Sequence, residues 1–243
     1  KDVILSSTGT KLNNLGKLTI SADGKLHSEL ISDREIEKDA KTKEVVDKIV
    51  AEFQALLNKV VAHTDVDLTT QNPEGTARAI RNRETNLGDL CADAYRVTLG
   101  ADIAIVNGGG IRATIEKGDI TKGDVINVLP FGNYIVTKQV KGQDIIDALN
   151  FGMDFGAGGF PHFAGMTVEA KKVETTAEDG TTKTKGQVLS ILVDGKPIDP
   201  NATYTLATND FMASGGDGYT MLGNYPIENE FSALDEALIR YLS

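Results

Sequence analysis

The sequence predicts an α/β (α+β) fold, a mixed β-sheet with flanking helices. Three observations predict it. Short apolar runs of strand length alternate with amphipathic helical stretches from about residue 65 onward. Glycine-rich loops follow directly on two of these runs, at Gly108-Gly109-Gly110 and at Gly215-Gly216, where a buried strand would enter a tight turn. Of 243 residues, 40% are hydrophobic and 25% charged. That is globular composition, and a chain of this length can bury roughly 70–75% of its unfolded surface.

The elements follow in order. Residues 1–33 alternate apolar and polar side chains on either side of Ala22-Asp23-Gly24, a hairpin signal with little that could form a core alone. Residues 34–62 read as one long helix. Ile36, Val45, Val46, Ile49, Val50, Phe53, Leu56, Leu57, Val60 and Val61 fall on one face, with Ser32 or Asp33 as cap. This helix either connects two domains or covers the surface of one. Asn86–Leu99 is helical, Ile103–Asn107 a buried strand, and Thr121–Leu129 a short helix with a capping box at Thr121 and Asp124. Tyr134–Val140 reads as a strand and Asp144–Phe151 as a helix. Met166–Val173, Gln187–Val193 and Tyr204–Thr208 read as strands, with turns at Asp179-Gly180 and Asp194-Gly195. Thr175–Lys185 is polar and is expected to be a mobile hairpin tip. Ala233–Leu242 is a closing helix, and no internal repeat is present.

Composition excludes several functions. Lys and Arg number 25 against 35 Asp and Glu, a net charge of -10. Such a chain has no general field for a nucleic-acid polymer, so a small anionic ligand must be met by local arginines. The single cysteine, Cys91, excludes an intramolecular disulfide and a multi-cysteine zinc cluster, and its helical setting suits a small buried hydrophobe. No apolar run is long enough for a membrane-spanning segment. No signal peptide is legible, and because the chain starts at Lys1 without Met an upstream part is expected. The phosphate P-loop, the dinucleotide glycine fingerprint, the nucleophile elbow and His-Glu-x-x-His are all missing. His27, His63 and His162 lie far apart, without metal-ligand spacing.

Four loops could carry chemistry: Arg81-Asn82-Arg83-Glu84-Thr85-Asn86, Asn107-Gly108-Gly109-Gly110-Ile111-Arg112, Pro130-Phe131-Gly132-Asn133, and Asn209 to Tyr219. Glycines let backbone approach a ligand, and arginines offer a fork of donors to phosphate or hydroxyls. Phe131 and Phe211 could clamp a flat base, and Asp217 could accept from both hydroxyls of a ribose. Each piece alone also has a structural reading. The glycines could be a plain turn, the arginines salt-bridged, the rings core, Asp217 a turn residue and Asn107 a loop cap. Together they read as a binder of a small, flat, hydroxylated anion, a nucleotide.

These loops, in this order, resemble the C-terminal domain of the 5'-nucleotidase and 2',3'-cyclic-nucleotide phosphodiesterase family. The resemblance runs over roughly residues 60–240 and rests on "RNRETNLGDLCADAYR", "NGGGIR" with "LPFGN", and "LATNDFMASGGDGYTML". It implies substrate-binding roles for Arg81 and Arg112 on phosphate and ribose, and for Asn107 and Gly110 in the same pocket. It implies that Phe131 and Phe211 stack on the base and that Asp217 holds the ribose. Arg83 is carried over only weakly and His162 not at all. Residues 1–33 resemble the tail of the family's metallophosphoesterase domain, 34–62 its connecting helix, and 63–243 the nucleotide-binding domain.

The Asp-x-His and Gly-Asn-His-Asp/Glu motifs of the family's two-metal centre are absent from this sequence. No cofactor is therefore expected in this chain, and two divalent metal ions are expected in the missing N-terminal domain. The chain is expected to be the specificity part of a phosphoester hydrolase, inactive when isolated. In the whole enzyme, domain rotation near the connecting helix would bring phosphate to metal. Its partners would be a nucleotide or nucleoside and the metallophosphoesterase domain, and its location extracellular, cell-surface or periplasmic. The alternative is a non-enzymatic surface module for a host or cell-wall partner, favoured if Met212 or Tyr219 fills the pocket. A stand-alone enzyme using His162 or His63 as base is the third reading.

Overall fold

A computed structural model describes residues 7–9, 13–153, 158–176 and 182–243. The chain divides into two compact units, Lys1–Ala55 and Leu56–Ser243.

The first unit holds an antiparallel hairpin of β1 (Asn14–Ile20) and β2 (Leu26–Ser32), in register from Asn14 opposite Ser32 to Ile20 opposite Leu26. Lys17 and Glu29 face each other across it at 2.8 Å. The helix α1 (Ala40–Leu57) begins after Asp39, whose carboxylate accepts from the Thr42 amide at 2.8 Å. None of the described residues 7–55 is buried, in keeping with a segment too poor in apolar contacts to make a core.

The helix expected over 34–62 is therefore shorter at both ends. Asp39 caps the helix, whereas Ser32 caps only a separate 3-10 turn at Asp33–Glu35. At the far end, Val60–Thr64 leaves the helix and becomes β3, paired antiparallel with β5 (Gly118–Thr121). Valines at 60 and 61 fit a helical face, but their branched β-carbons suit a strand once a partner is available.

The second unit is built on a five-stranded mixed sheet. Its remaining elements in chain order are α2 (Asn86–Leu99), β4 (Ile103–Asn107), α3 (Lys122–Val128), β6 (Tyr134–Lys141), α4 (Gly142–Gly152) and β7 (Pro161–Ala164). Then come β8 (Met166–Thr176), β9 (Thr182–Val193), β10 (Lys196–Pro197), β11 (Thr203–Asn209), α5 (Asp210–Ala213), α6 (Thr220–Gly223), β12 (Asn229–Ala233) and α7 (Leu234–Leu242). The sheet order is β12-β6-β11-β4-β7, with β11 and β4 parallel and the other pairs antiparallel.

Strand alternation sorts the core into two layers. Ala104 and Val106 of β4 join Leu87, Cys91, Tyr95, Val125 and Leu238 from the helices on one face. Ile103 and Ile105 join Ile145, Leu149 and Leu206 on the other. All of β4 is buried, as a strand covered on both faces must be. The expected capping box is present, with the Asp124 amide donating to the Thr121 hydroxyl and the Asp124 carboxylate accepting from the Thr121 amide. Asp194 and Gly195 form the tight turn between β9 and β10, both at positive φ (49° and 71°). The turn at Asp179-Gly180 lies outside the described residues. Strands β3, β5, β7, β10 and β12, which the periodicity does not reveal, are all five residues or shorter.

Candidate functional site

The parallel pair β4 and β11 ends on the same side of the sheet; β4 runs straight into a glycine-rich loop and β11 reaches one through α5. Ligand sites of open α/β sheets lie at such carboxyl ends. After β4 the chain turns through Gly108–Gly110 so closely packed that side chains cannot enter. A β-carbon on Gly108 would come within 2.0 Å of the Ile80 carbonyl oxygen, and one on Gly109 within 2.8 Å of the Gly158 oxygen. After β11, Asn209 caps α5 by accepting from the Met212 amide at 2.8 Å.

Three side chains then tie the two strand ends to the loop beyond α5. Asn209 donates its side-chain amide to Asn107 Oδ1 at 3.0 Å, and Asn107 donates to Asp217 Oδ2 at 2.8 Å. Asp217 holds a left-handed backbone, with φ of 52°, a conformation that a short polar side chain tolerates better than a bulky one. Nearby, Asn133 donates to Asp210 Oδ1 at 2.7 Å. This steadies the Phe131 loop against α5.

These loops enclose a cavity of about 590 Å³ lined by Arg81, Asn107, Gly110, Phe131, Phe211 and Asp217, among others. That volume lies within the usual range for a small-molecule pocket, ~300–1,000 Å³. Phe131 is 61% exposed and Phe211 45%, so neither ring belongs to the core. The Phe211 ring rests on Gly216, where a β-carbon would come within 2.7 Å of ring carbons. Arg112 is not among the residues lining the cavity. Its guanidinium sits 5.6 Å from the centre of the Phe131 ring and donates to the Gly109 carbonyl at 3.1 Å. Arg81 lies at the cavity wall, with its Nε buried and without a hydrogen-bond partner among the described residues. Met212 and Tyr219 are fully buried in the core and do not fill the cavity.

A model of the 5'-nucleotidase C-terminal domain family matches residues 60–224. The chain belongs to that family. It is 36% identical over 216 residues to the trifunctional nucleotide phosphoesterase protein YfkN of Bacillus subtilis, covering 84% of this chain and 14% of that protein. It is 37% identical over 173 residues to protein UshA of Escherichia coli, covering 70% of this chain and 29% of that one. Among solved structures it resembles a 5'-nucleotidase precursor from Thermus thermophilus with a TM-score of 0.65 and 32% identity, covering 95% of this chain and 46% of that one. The chain thus spans less than half the length of each of these relatives.

Within this member of the 5'-nucleotidase C-terminal domain family, the Arg81–Glu84 loop serves two cavities. Arg81 faces the first. Arg83 and Glu84 border a second, of about 810 Å³, together with Arg78, Asp89 and His162. His162 is 1% exposed, with Nε2 at 2.9 Å from the Ile80 carbonyl, and burial pulls its pKa down. His63 is exposed, 2.9 Å from Asp119, and lines neither cavity. Neither histidine faces the site as a base. Cys91 is buried, and desolvation pushes its thiol up to about 12, which leaves it inert at neutral pH. Among the described residues no group of three or more His, Cys, Asp or Glu could hold a metal ion, and no helix is long and apolar enough to cross a membrane.

Sequence reasoning did not assign Asn209, Asn133 or Tyr95 to the pocket, yet all three line the first cavity. Asn209 carried a signal, since an Asn that ends a strand and opens a short helix is a natural cap. Tyr95 carried none; it reads as one more apolar contact of α2.

Proposed function

We propose that this chain is the nucleotide- or nucleoside-binding and specificity part of a 5'-nucleotidase-like phosphoester hydrolase. One observation carries the reading. Two exposed phenylalanine rings on separate loops border a single cavity that is also lined by the Arg81 side chain and a carboxylate fixed by Asn107. Phe131 and Phe211 take the two faces of the base. Asp217 accepts from the ribose hydroxyls, and Arg81, with Arg112 at the edge of Phe131, meets the anionic end.

The two divalent ions that the family's chemistry calls on do not fit the described residues, which offer no cluster of three ligating side chains. No chemical step is therefore assigned to this chain. Its role is to bind and orient, the metal-bearing part of the enzyme being a partner domain, and alone it is inactive. The names of its relatives, a nucleotide phosphoesterase and a 5'-nucleotidase precursor, support a nucleotide substrate. The word precursor fits an exported protein, and we place this chain outside the cytoplasm, in the periplasm or at the cell surface.

Calorimetric titration with AMP, adenosine and UMP tests the reading. Saturable binding of at least one is expected. A folded protein that gives no heat with any of the three refutes it. A cavity filled by Met212 or Tyr219 would have favoured the reading as a surface module; both lie in the core.

A further inference from the structure

The loop that carries Asp217 lacks secondary structure of its own beyond a single distorted turn. Gly215, Asp217 and Gly218 all hold positive φ, at 89°, 52° and 89°. Its shape must be imposed from outside. One end leaves α5 at Ala213, and the other enters α6 and leaves it near Leu222 and Tyr225. The carbonyls at the ends of such short helices have no intrahelical partner and need donors.

Lys138 supplies them. It sits on β6 opposite Leu206 of β11. Val140, two residues on, lies in the core layer of Ile145 and Leu149, so position 138 belongs to an apolar face. A lysine there breaks the strand pattern, and it is only 2% exposed. Its ammonium donates to the main-chain carbonyls of Ala213, Leu222 (2.8 Å) and Tyr225 (2.6 Å). An ammonium has three N–H donors, and all three are used. No carboxylate lies within ion-pair distance of it among the described residues. Burial lowers its pKa, so the site keeps a desolvated charge for the sake of three neutral carbonyls.

The geometry points to Lys138 as the positioning residue of the ribose-binding carboxylate: one buried ammonium clamps both ends of the Ala213–Tyr225 loop and so sets where Asp217 stands. This deepens the nucleoside-binding reading and rests on it. Lys138 touches no ligand. It acts through Asp217, while Phe131 stands on a different loop and the backbone of Phe211 lies before the clamped carbonyls, though its ring rests on Gly216 of the loop. Loosening the clamp should therefore cost sugar recognition more than base stacking.

The test compares adenosine with 2',3'-dideoxyadenosine, in wild type and in Lys138→Met and Lys138→Gln. Wild type is expected to prefer adenosine by about 10-fold, the worth of hydrogen bonds to a charged acceptor. In Lys138→Met, which removes the ammonium from all three carbonyls and leaves only that of Leu222 with a backbone donor, the preference should fall to within about 2-fold, with dideoxyadenosine affinity falling less than adenosine affinity. Lys138→Gln keeps two donors and should fall between; it decides the matter if the Met variant does not fold. A variant that is folded but less heat-stable and keeps the full preference shows Lys138 to be a stability residue only, and overturns the inference. Equal binding of the two nucleosides by wild type also overturns it, because Asp217 then reads no sugar. Wild type binding neither nucleoside removes the underlying reading, a separate failure seen before any variant is made.

Discussion

Removing the two exposed rings, one at a time and together, is the most direct perturbation of the proposed base site. Phe211 is roughly half exposed and Phe131 more so. A fully buried Phe stabilises a fold by roughly 1.5–3 kcal/mol, so Phe211→Ala should cost about 1 kcal/mol of stability and Phe131→Ala somewhat less. The Arg112 guanidinium over Phe131 adds about 0.5–1 kcal/mol at an exposed site. In a chain of this size 1 kcal/mol moves Tm by about 2–4 °C, so each variant should melt within about 5 °C of wild type. Binding should suffer far more. A stacked base is worth about 1–3 kcal/mol, or roughly 5- to 150-fold in Kd. If both rings hold the same base, their losses are coupled and the double variant loses less than the sum. Calorimetry of adenosine with wild type, both single variants and the double variant reads all of this. Unchanged Kd values with lowered Tm would place the rings in the fold rather than the site, and strict additivity would separate them onto different parts of the ligand.

Two further predictions need no ligand. Tyr95 is fully buried and its hydroxyl has no partner among the described residues, so Tyr95→Phe removes an unsatisfied polar atom; Tm should hold or rise by about 2–4 °C, and a comparable fall would reveal a hidden partner. Burial first, then the charge of Glu84 and its hydrogen bond, raise Asp89 to about 7 from 3.8. The folded protein thus holds a proton that the unfolded chain releases, so this contribution is complete below about pH 4 and is lost as pH rises towards about 7. Thermal unfolding across that window should show wild type losing stability relative to Asp89→Asn, and parallel curves would contradict the assignment.

Much of the second unit was legible because its signals are local. Ile103–Val106 is an unbroken apolar run, and with Asn107 it forms a strand buried on both faces. Thr121 and Asp124 form their box within a few residues of each other. The misreadings have a shared cause in ambiguity that only distant partners resolve. Val60 and Val61 fit a helix until β5 is there to pair with them. Pro161–Ala164 is too short to show a period and becomes a strand by lying beside β4. The candidate site residues were legible as separate loops. Their meeting was not, since the bond from Asn107 to Asp217 spans 110 positions. Lys138 was hidden for the opposite reason: a lone charge in a strand reads as solvent-facing, and only the three carbonyls show why it points inward.

The order of these bonds bears on how the site can stay both rigid and receptive. Asn209 is held by the backbone it caps, Asn107 is held by Asn209, and Asp217 is held by Asn107. Each side chain in the series uses one bond to be fixed and one to fix the next, and no charge is neutralised along the way. Had Asp217 been steadied by an arginine, the ion pair would have occupied the acceptor capacity a sugar needs, and breaking it would have cost more than a neutral amide does. An amide donor occupies one of roughly four acceptor positions on the carboxylate and leaves the others open. The buried ammonium of Lys138 does the equivalent for the backbone beneath. It anchors carbonyls, which the proposed nucleoside site does not use, and stays clear of the carboxylate, which that site does use. Positive charge at the cavity is thereby left to Arg81, with Arg112 at its rim, where an anionic ligand can use it.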